Sequence, residues 1–196
     1  MRIIILSNND NVKPLYTWLK NKEKDVMLHD KKITQQLLDD IHPDFVISYN
    51  YRFIVENDII NRMGNNIINM HISYLPWNKG ANPNIWSFID DTPKGVTIHR
   101  LERGLDTGKI IVQKEIHFNE DVDTLSSSYE KLNVEIVELF KENWDMISQG
   151  NYEMKDHIGE GSYHKSCDLE RLLHGKDIDY NMTIKSFKNF IKNVKN

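Results

Sequence analysis

The chain has 196 residues, enough for one domain with a short appendage and for a substantial buried core. Its 29 acidic and 25 basic residues give a net charge of −4, which does not favour nucleic acid as the main partner. The single cysteine, Cys167, cannot form an internal disulfide, and no apolar run approaches the length of a membrane span. A cytoplasmic protein is therefore expected.

The first third of the chain alternates predicted strands with predicted helices. Short apolar runs indicate strands at 3–6, 25–28, 45–48 and 66–70. Helical spacing of apolar residues falls between them, at 12–20, 33–41 and 56–63. This alternation predicts an α/β fold with a Rossmann-like, mostly parallel sheet and flanking helices, in which ligands bind beyond the carboxyl ends of the strands.

The remainder of the chain predicts further helices and an antiparallel pair. Asn82 followed by Pro83 is typical of a helix start, and alternation at 96–101 and 110–118 predicts two paired strands. Thr124 can cap a long amphipathic helix that ends near Gly150. We predict a catalytic domain over 1–150 and a short C-terminal extension over 151–196.

The extension contains a basic amphipathic helix. From Thr183 onward one helical face carries apolar side chains, and lysines fall largely on the other faces. Such a helix can lie on an anionic membrane, or it can dock on its own domain or on a second subunit. Docking is the commoner outcome, so the sequence predicts no membrane partner and allows a homodimer.

A small set of polar residues follows the fourth predicted strand. Asn69 and His71 point to the same side of this strand, and Pro76 breaks the chain away from it. Asp106 lies in a tight Gly-Leu-Asp-Thr-Gly loop. A lone strand-end histidine is most often structural, and an Asp before Thr-Gly can simply form a turn. Together, an amide, an imidazole and a carboxylate suit acyl transfer.

Two motifs carry a family resemblance, and they read Asn69-x-His71-x-Ser73-x-Leu75-Pro76 and Leu105-Asp106-Thr107-Gly108. Between residues 43 and 113 the chain resembles the N10-formyltetrahydrofolate-dependent formyltransferases. That family includes glycinamide ribonucleotide transformylase, methionyl-tRNA formyltransferase and the sugar-nucleotide N-formyltransferases. The resemblance implies attack of an amine on a formyl carbon, with N10-formyltetrahydrofolate as the formyl donor and no metal.

The resemblance also implies roles for individual residues. Asn69 would donate its amide to the oxyanion, His71 would move a proton, and Asp106 would hold the imidazole or accept a proton. The residues implied to bind the folate cofactor are Tyr51, Arg52, Phe53, Ile54, Gly104 and Leu105. The residues implied to bind or surround the substrate are Ser73, Lys79, Asn82, Asn84 and His99. For Ser73 a loop-supporting role is expected, and for His99 a purely structural role is equally compatible with the sequence.

The acceptor is inferred from two further segments. The turn at 7–11 lacks the glycine-rich form that cradles a phosphate, which argues against a purine-pathway enzyme. The segment at 163–169 resembles one found after the catalytic domain of sugar-nucleotide formyltransferases. A nucleotide-linked amino sugar is therefore the favoured substrate. A methionyl-tRNA or glycinamide ribonucleotide formyltransferase is the alternative enzyme, and a non-catalytic folate or nucleotide-sugar binding module is the alternative of another class.

Overall fold

The computed structural model describes residues 1–195 and contains eight strands within that range. They are β1 Arg2–Leu6, β2 Asp25–His29, β3 Phe45–Tyr49, β4 Ile67–His71, β5 Lys79–Gly80, β6 Gly95–Arg100, β7 Ile110–Glu115 and β8 Tyr163–His164. Six of them form a central sheet in the order β2-β1-β3-β4-β6-β7, in which β1 to β4 pair in parallel and β4, β6 and β7 pair antiparallel. The predicted α/β class with a mostly parallel sheet is confirmed.

The helices flank this sheet. They are α1 Lys13–Lys22, α2 Gln35–Ile41, α3 Asn57–Met63, α4 Pro83–Ile89, α5 Leu125–Ser148, α6 Ser166–Leu173 and α7 Ile184–Lys195. Helix α2 begins later than predicted because Thr34 is its N-cap, and the Thr34 side chain accepts a hydrogen bond from the N–H of Leu37. Strand β7 ends earlier than predicted because Glu115 pairs with Gly95, where its partner strand begins.

The apolar run of β1 is explained by burial on both faces of the sheet. Ile3 and Ile5 pack into one core with residues of α1 and α5, whereas Ile4 and Leu6 pack into a second core with residues of α2 and α3. A strand covered on both faces has no solvent side, so its sequence is continuously apolar rather than alternating.

Strand β4 carries two of the three predicted catalytic residues, Asn69 and His71, and its pairing fixes their neighbours. Asn69 pairs with Ser48 of β3 on one side and with His99 of β6 on the other. His71 is the last residue of β4 and pairs with Thr97 of β6. The antiparallel register therefore places the imidazole-bearing residue His99 directly beside Asn69.

The short strands β5 and β8 attach the C-terminal segment to the loop that follows β4. They pair in parallel, with Lys79 opposite Tyr163 and Gly80 opposite His164. Gly80 has a positive φ of +89°, and a Cβ on it would lie 2.3 Å from the His164 carbonyl oxygen. Only glycine permits this close approach of the two strands.

The predicted amphipathic helix of the tail is α7, and it docks on its own chain. Its apolar residues Ile184, Phe187 and Ile191 are buried in a cluster with residues of α4 and α6. Lys188 adds ion pairs to Asp91 at 2.8 Å and to Glu120 at 2.6 Å. Within residues 1–195 no helix is long and apolar enough to span a membrane. The proposed boundary between a catalytic domain at 1–150 and an extension stays a prediction.

We expect Phe187→Ala to lower the free energy of unfolding by about 3–5 kcal/mol, the range for truncating a buried phenylalanine. The side chain of Phe187 is 0% exposed, so its removal leaves a cavity between α7 and α4. Urea unfolding followed by circular dichroism would measure the change, with Lys192→Ala on the exposed face of α7 as the matched control. Equal stability of the two variants would show that α7 does not stabilise the domain.

Candidate active site

A cleft of about 930 Å³ opens beyond the carboxyl ends of the parallel strands. Its lining includes Asn9 after β1, Asn50 after β3, and Asn69 and His71 of β4. Asp106, from the loop between β6 and β7, lines the same cleft. The fold thus brings the three predicted catalytic residues together in one cavity, at the edge of the sheet where α/β proteins bind ligands.

Asp106 is held by donors from two different strands. Its backbone is left-handed, with φ of +52°, a conformation that Asp adopts more readily than most residues. Carboxylate Oδ1 accepts a hydrogen bond from Nδ2 of Asn69 at 3.0 Å, and Oδ2 accepts one from the N–H of Gly80 at 2.8 Å. The close approach of β5 and β8 that requires Gly80 therefore also orients this carboxylate.

His71 is buried between Asp106 and a backbone carbonyl. Its Nε2 lies 3.1 Å from the carbonyl oxygen of Asn78, so Nε2 carries the proton and donates it there. Its Nδ1 lies 3.7 Å from Oδ2 of Asp106, beyond a direct hydrogen bond. In this tautomer the lone pair of Nδ1 is free to accept a proton.

Burial sets the protonation states of this pair. Burial lowers the pKa of His71, and it outweighs the opposite effect of the Asp106 carboxylate. Burial alone would raise the pKa of Asp106, but the positive charge that either neighbouring imidazole, His71 or His99, can take up, and the hydrogen bond from the Gly80 N–H, hold it well below its usual range. The resting site therefore holds a neutral imidazole beside an ionised carboxylate.

His99 joins this cluster beside both Asn69 and Asp106, and its Nε2 lies 3.4 Å from Oδ1 of Asp106. Its Nδ1 donates to the carbonyl oxygen of Arg100 at 2.8 Å, which leaves Nε2 as an acceptor. The amide nitrogen of Asn69 lies 3.2 Å from Nε2 of His99 and 3.0 Å from Oδ1 of Asp106. Both amide hydrogens of Asn69 are thus engaged in this state, and its role as an oxyanion donor stays a prediction.

The six residues implied to bind folate all line the cleft. They fall in two segments, one comprising Tyr51, Arg52, Phe53 and Ile54 after β3, the other Gly104 and Leu105 before Asp106. Ile54 is 70% exposed and Leu105 is 44% exposed, so both aliphatic side chains are accessible to a ligand in the cleft. The loop after β3 is anchored by Asn8, whose side-chain oxygen accepts a hydrogen bond from the N–H of Arg52.

The residues implied to surround the substrate divide into two groups. Asn82 and His99 line the cleft, whereas Ser73, Lys79 and Asn84 are not among its lining residues. Ser73 is buried and its hydroxyl donates to the carbonyl of Trp77 at 2.6 Å, which matches the loop-supporting role expected for it. Asn84 is buried and donates its amide hydrogens to the Leu125 carbonyl and to the Ser128 hydroxyl, both at 3.1 Å.

Other cleft residues were not identified as site residues from the sequence. Tyr129 of α5 lines the cleft, as do Tyr163 and His164 of β8. The His164 ring stacks on Trp86 of α4, with ring centroids 3.9 Å apart. The similarity of the segment at 163–169 to sugar-nucleotide enzymes was the only signal for β8, and the sequence carried none for Tyr129. Over residues 1–195 no group of three or more His, Cys, Asp or Glu side chains could hold a metal ion.

Comparison with known proteins identifies relatives with the same fold. The chain is 41% identical to the structure of the formyltransferase PseJ from Anoxybacillus kamchatkensis, with a TM-score of 0.87 over 95% of this chain and 97% of that one. That structure is a complex with UDP-4,6-dideoxy-4-formamido-L-AltNAc and tetrahydrofolate.

Two curated relatives differ in their acceptors. A methionyl-tRNA formyltransferase of Thermodesulfovibrio yellowstonii is 37% identical over 64% of this chain and 41% of its own length. A dTDP-4-amino-4,6-dideoxyglucose formyltransferase of Mycobacterium bovis is 34% identical over 66% of this chain and 54% of its own length. The chain thus spans about half of the length of these relatives.

A family model described as formyl transferase matches residues 3–142, which include β1 to β7, the loop with Asp106 and most of α5. This match covers all three predicted catalytic residues as well as the two segments implied to bind folate. The chain belongs to the formyl transferase family.

Proposed function

We propose that this protein transfers a formyl group from N10-formyltetrahydrofolate to the amine of a nucleotide-linked amino sugar. The observation that carries the proposal is the convergence of Asn69, His71, His99 and Asp106 in one large cleft. The cluster combines a carboxylate, a neutral imidazole and an amide, the groups that acyl transfer to an amine requires.

The formyl donor is assigned to the part of the cleft formed by Tyr51–Ile54, Gly104 and Leu105. The exposed side chains of Ile54 and Leu105 offer apolar contact to the flat rings of a folate, and the backbone groups of these loops can bond to its polar edges. When bound, the folate supplies the electrophilic formyl carbon.

A sugar nucleotide is favoured as acceptor by the C-terminal segment. The chain is 41% identical to PseJ over nearly the full length of both chains, and the PseJ structure holds a UDP-linked 4-formamido sugar. In this chain β8 contributes Tyr163 and His164 to the cleft. Methionyl-tRNA is the second candidate, supported by the 37% identity to a methionyl-tRNA formyltransferase. The net charge of −4 makes the polyanionic tRNA the less favoured of the two.

In the proposed reaction the acceptor nitrogen bonds to the formyl carbon, and the bond from that carbon to N10 breaks. The attacking amine loses a proton and N10 gains one, so no net proton is released. We assign the proton transfer to Nδ1 of His71, which is unprotonated in the resting site and lies in the cleft floor. Asp106, 3.7 Å from Nδ1, stabilises the imidazolium that forms.

Asn69 and His99 have supporting roles in this scheme. The amide of Asn69 orients the Asp106 carboxylate, and its second hydrogen is given to His99. Exchange of the bond to His99 for one to the developing oxyanion would stabilise the tetrahedral intermediate. Before the substrate binds, His99 thus accepts the hydrogen bond that the Asn69 amide would later donate to the oxyanion.

A panel of acceptors tests this assignment. We expect UDP-4-amino-4,6-dideoxy-L-AltNAc, the amine precursor of the compound bound to PseJ, or dTDP-4-amino-4,6-dideoxyglucose to give a kcat/KM far above that of methionyl-tRNA. The assay of these acceptors determines which sugar nucleotide is preferred. A preference for methionyl-tRNA would favour the second candidate, and folate binding without any transfer would favour a non-catalytic module. A homodimer and a cytoplasmic location stay predictions.

Chelation should leave the activity unchanged. Formyl transfer by the cluster above needs no Lewis acid, and residues 1–195 contain no group of side chains suited to hold a metal. We therefore expect the same kcat before and after treatment with EDTA and gel filtration. A large loss that zinc restores would contradict the scheme.

A further inference from the structure

We propose that the hydroxyl of Tyr129 donates a hydrogen bond to an oxygen of the acceptor substrate and so contributes to acceptor selection. The inference rests on the proposed function and deepens it. Tyr129 lies in the second turn of α5 and lines two cavities, the main cleft and a side pocket of about 320 Å³.

The hydrogen bonds around Tyr129 leave its proton without an acceptor. The hydroxyl oxygen accepts from Nδ2 of Asn9 at 3.3 Å and from Nδ2 of Asn11 at 3.2 Å. The orientation of the Asn9 amide is fixed, because its Oδ1 accepts the N–H of Asn11 at 2.9 Å. A tyrosine hydroxyl has two acceptor lone pairs and one proton. With both amides donating to the hydroxyl oxygen, no protein acceptor for its proton is found among residues 1–195, and the half-buried hydroxyl is available to donate to a ligand in the cleft.

The position of Tyr129 indicates that its hydroxyl donates to the sugar-nucleotide substrate rather than to the folate. The side pocket shares Ile72, Asn82, Pro83 and Tyr129 with the main cleft. None of the six residues implied to bind folate lines it. Its other walls are formed by Asn84, Ile85, Leu125, Ser126 and Tyr180, so it combines apolar surface with several polar side chains, as sites for organic ligands do. A sugar nucleotide that reaches from the catalytic cluster into this pocket passes Tyr129.

The same hydroxyl also anchors the turn after β1, and this structural role must be separated from the proposed one. Asn11 does not line either cavity. Asn11→Ala removes one of the two donors to the hydroxyl but keeps the hydroxyl itself. If Tyr129 only holds the turn, Asn11→Ala and Tyr129→Phe should have similar effects.

The test compares the Michaelis constants of the two substrates in Tyr129→Phe, with UDP-4-amino-4,6-dideoxy-L-AltNAc and N10-formyltetrahydrofolate as the probes. We expect the acceptor KM to rise about three- to tenfold, the usual effect of losing one hydrogen bond to a ligand. The folate KM and the melting temperature should stay close to those of the wild type. Tyr152→Phe, at a half-buried tyrosine that lines neither cavity, is the matched control.

Three results would overturn the inference: an unchanged acceptor KM, an equal rise in both Michaelis constants, or a full reproduction of the effect by Asn11→Ala. A wild-type protein that formylates neither this amine nor dTDP-4-amino-4,6-dideoxyglucose would instead count against the proposed function. In that case the hydrogen bond from Tyr129 is tested by calorimetric titration, which measures the affinity of wild type and of Tyr129→Phe for the same UDP-sugar. Weaker binding to the variant supports the hydrogen bond, and equal affinity or no binding to either protein refutes it.

Discussion

Replacement of Asp106 by Asn is expected to lower kcat about a hundredfold to ten-thousandfold, the range associated with general acid–base groups. The variant keeps the size of the side chain and tolerates the left-handed backbone at this position. It removes the negative charge that stabilises an imidazolium on His71. Because Asn has one side-chain oxygen in place of two, it can accept only one of the two hydrogen bonds that Asn69 and Gly80 donate to Asp106. Asp156→Asn, at an exposed carboxylate paired with Lys109, is the matched control.

The pH dependence of kcat distinguishes this role from a structural one. Because His71 must be neutral to accept a proton, kcat should fall as the pH decreases through its pKa, which burial places below the ordinary value. The Asp106 carboxylate favours the charged imidazole and so raises that pKa. In Asp106→Asn the acid limb of the residual activity should therefore move to lower pH. An acid limb that does not move would mean that Asp106 does not act through His71.

Replacement of His71 by Ala should lower kcat about a hundredfold or more, since it removes the group assigned to proton transfer. The companion variant Asn69→Ala should lose a comparable amount, the scale for one oxyanion donor. Both substitutions remove buried hydrogen bonds, so the melting temperatures should fall, and kcat is measured well below the melting temperature of each variant. His117→Ala, at an exposed histidine outside the cleft, controls for the loss of an imidazole. Near-wild-type kcat in both site variants would refute the assignment of the cluster.

The parts of this site that depend on local sequence could be predicted, because their spacing encodes their geometry. Asn69 and His71 share a strand face by period-two alternation, and the loop with Asp106 is a recognisable turn between two alternating strands. The resemblance implies that the three residues act together, but the pairing of β4 with β6 that brings them together is seen only in the structure.

The contacts that depend on long-range packing could not be predicted. Asn84 is expected from the sequence to contact the substrate; its amide joins α4 to α5, and the residue also lines the side pocket. Tyr129 reads as one more residue on the apolar face of α5, and its place in the cleft depends on Asn9, 120 residues away. The pairing of β5 with β8 likewise joins segments more than eighty residues apart, and each strand is too short to be identified from propensity.

For the C-terminal tail, the sequence predicts the helix but not the surface on which it packs. Its amphipathic pattern predicts a helix, and α7 confirms it. The pattern alone favours a protein surface over a membrane as partner of the apolar face, but it does not identify which surface. The docking of Phe187 against residues of α4 depends on a groove formed by other parts of the chain.

The central claim is that this cluster moves a formyl group from a folate to a sugar amine. The most direct measurement uses N10-formyltetrahydrofolate labelled with ¹³C at the formyl carbon and follows the label by NMR in the presence of UDP-4-amino-4,6-dideoxy-L-AltNAc or dTDP-4-amino-4,6-dideoxyglucose. We expect wild type to transfer the label to a sugar formamide with at least one of these acceptors, and Asp106→Asn to transfer it at least about a hundredfold more slowly. No labelled formamide with either acceptor, or equal rates for wild type and Asp106→Asn, would contradict it.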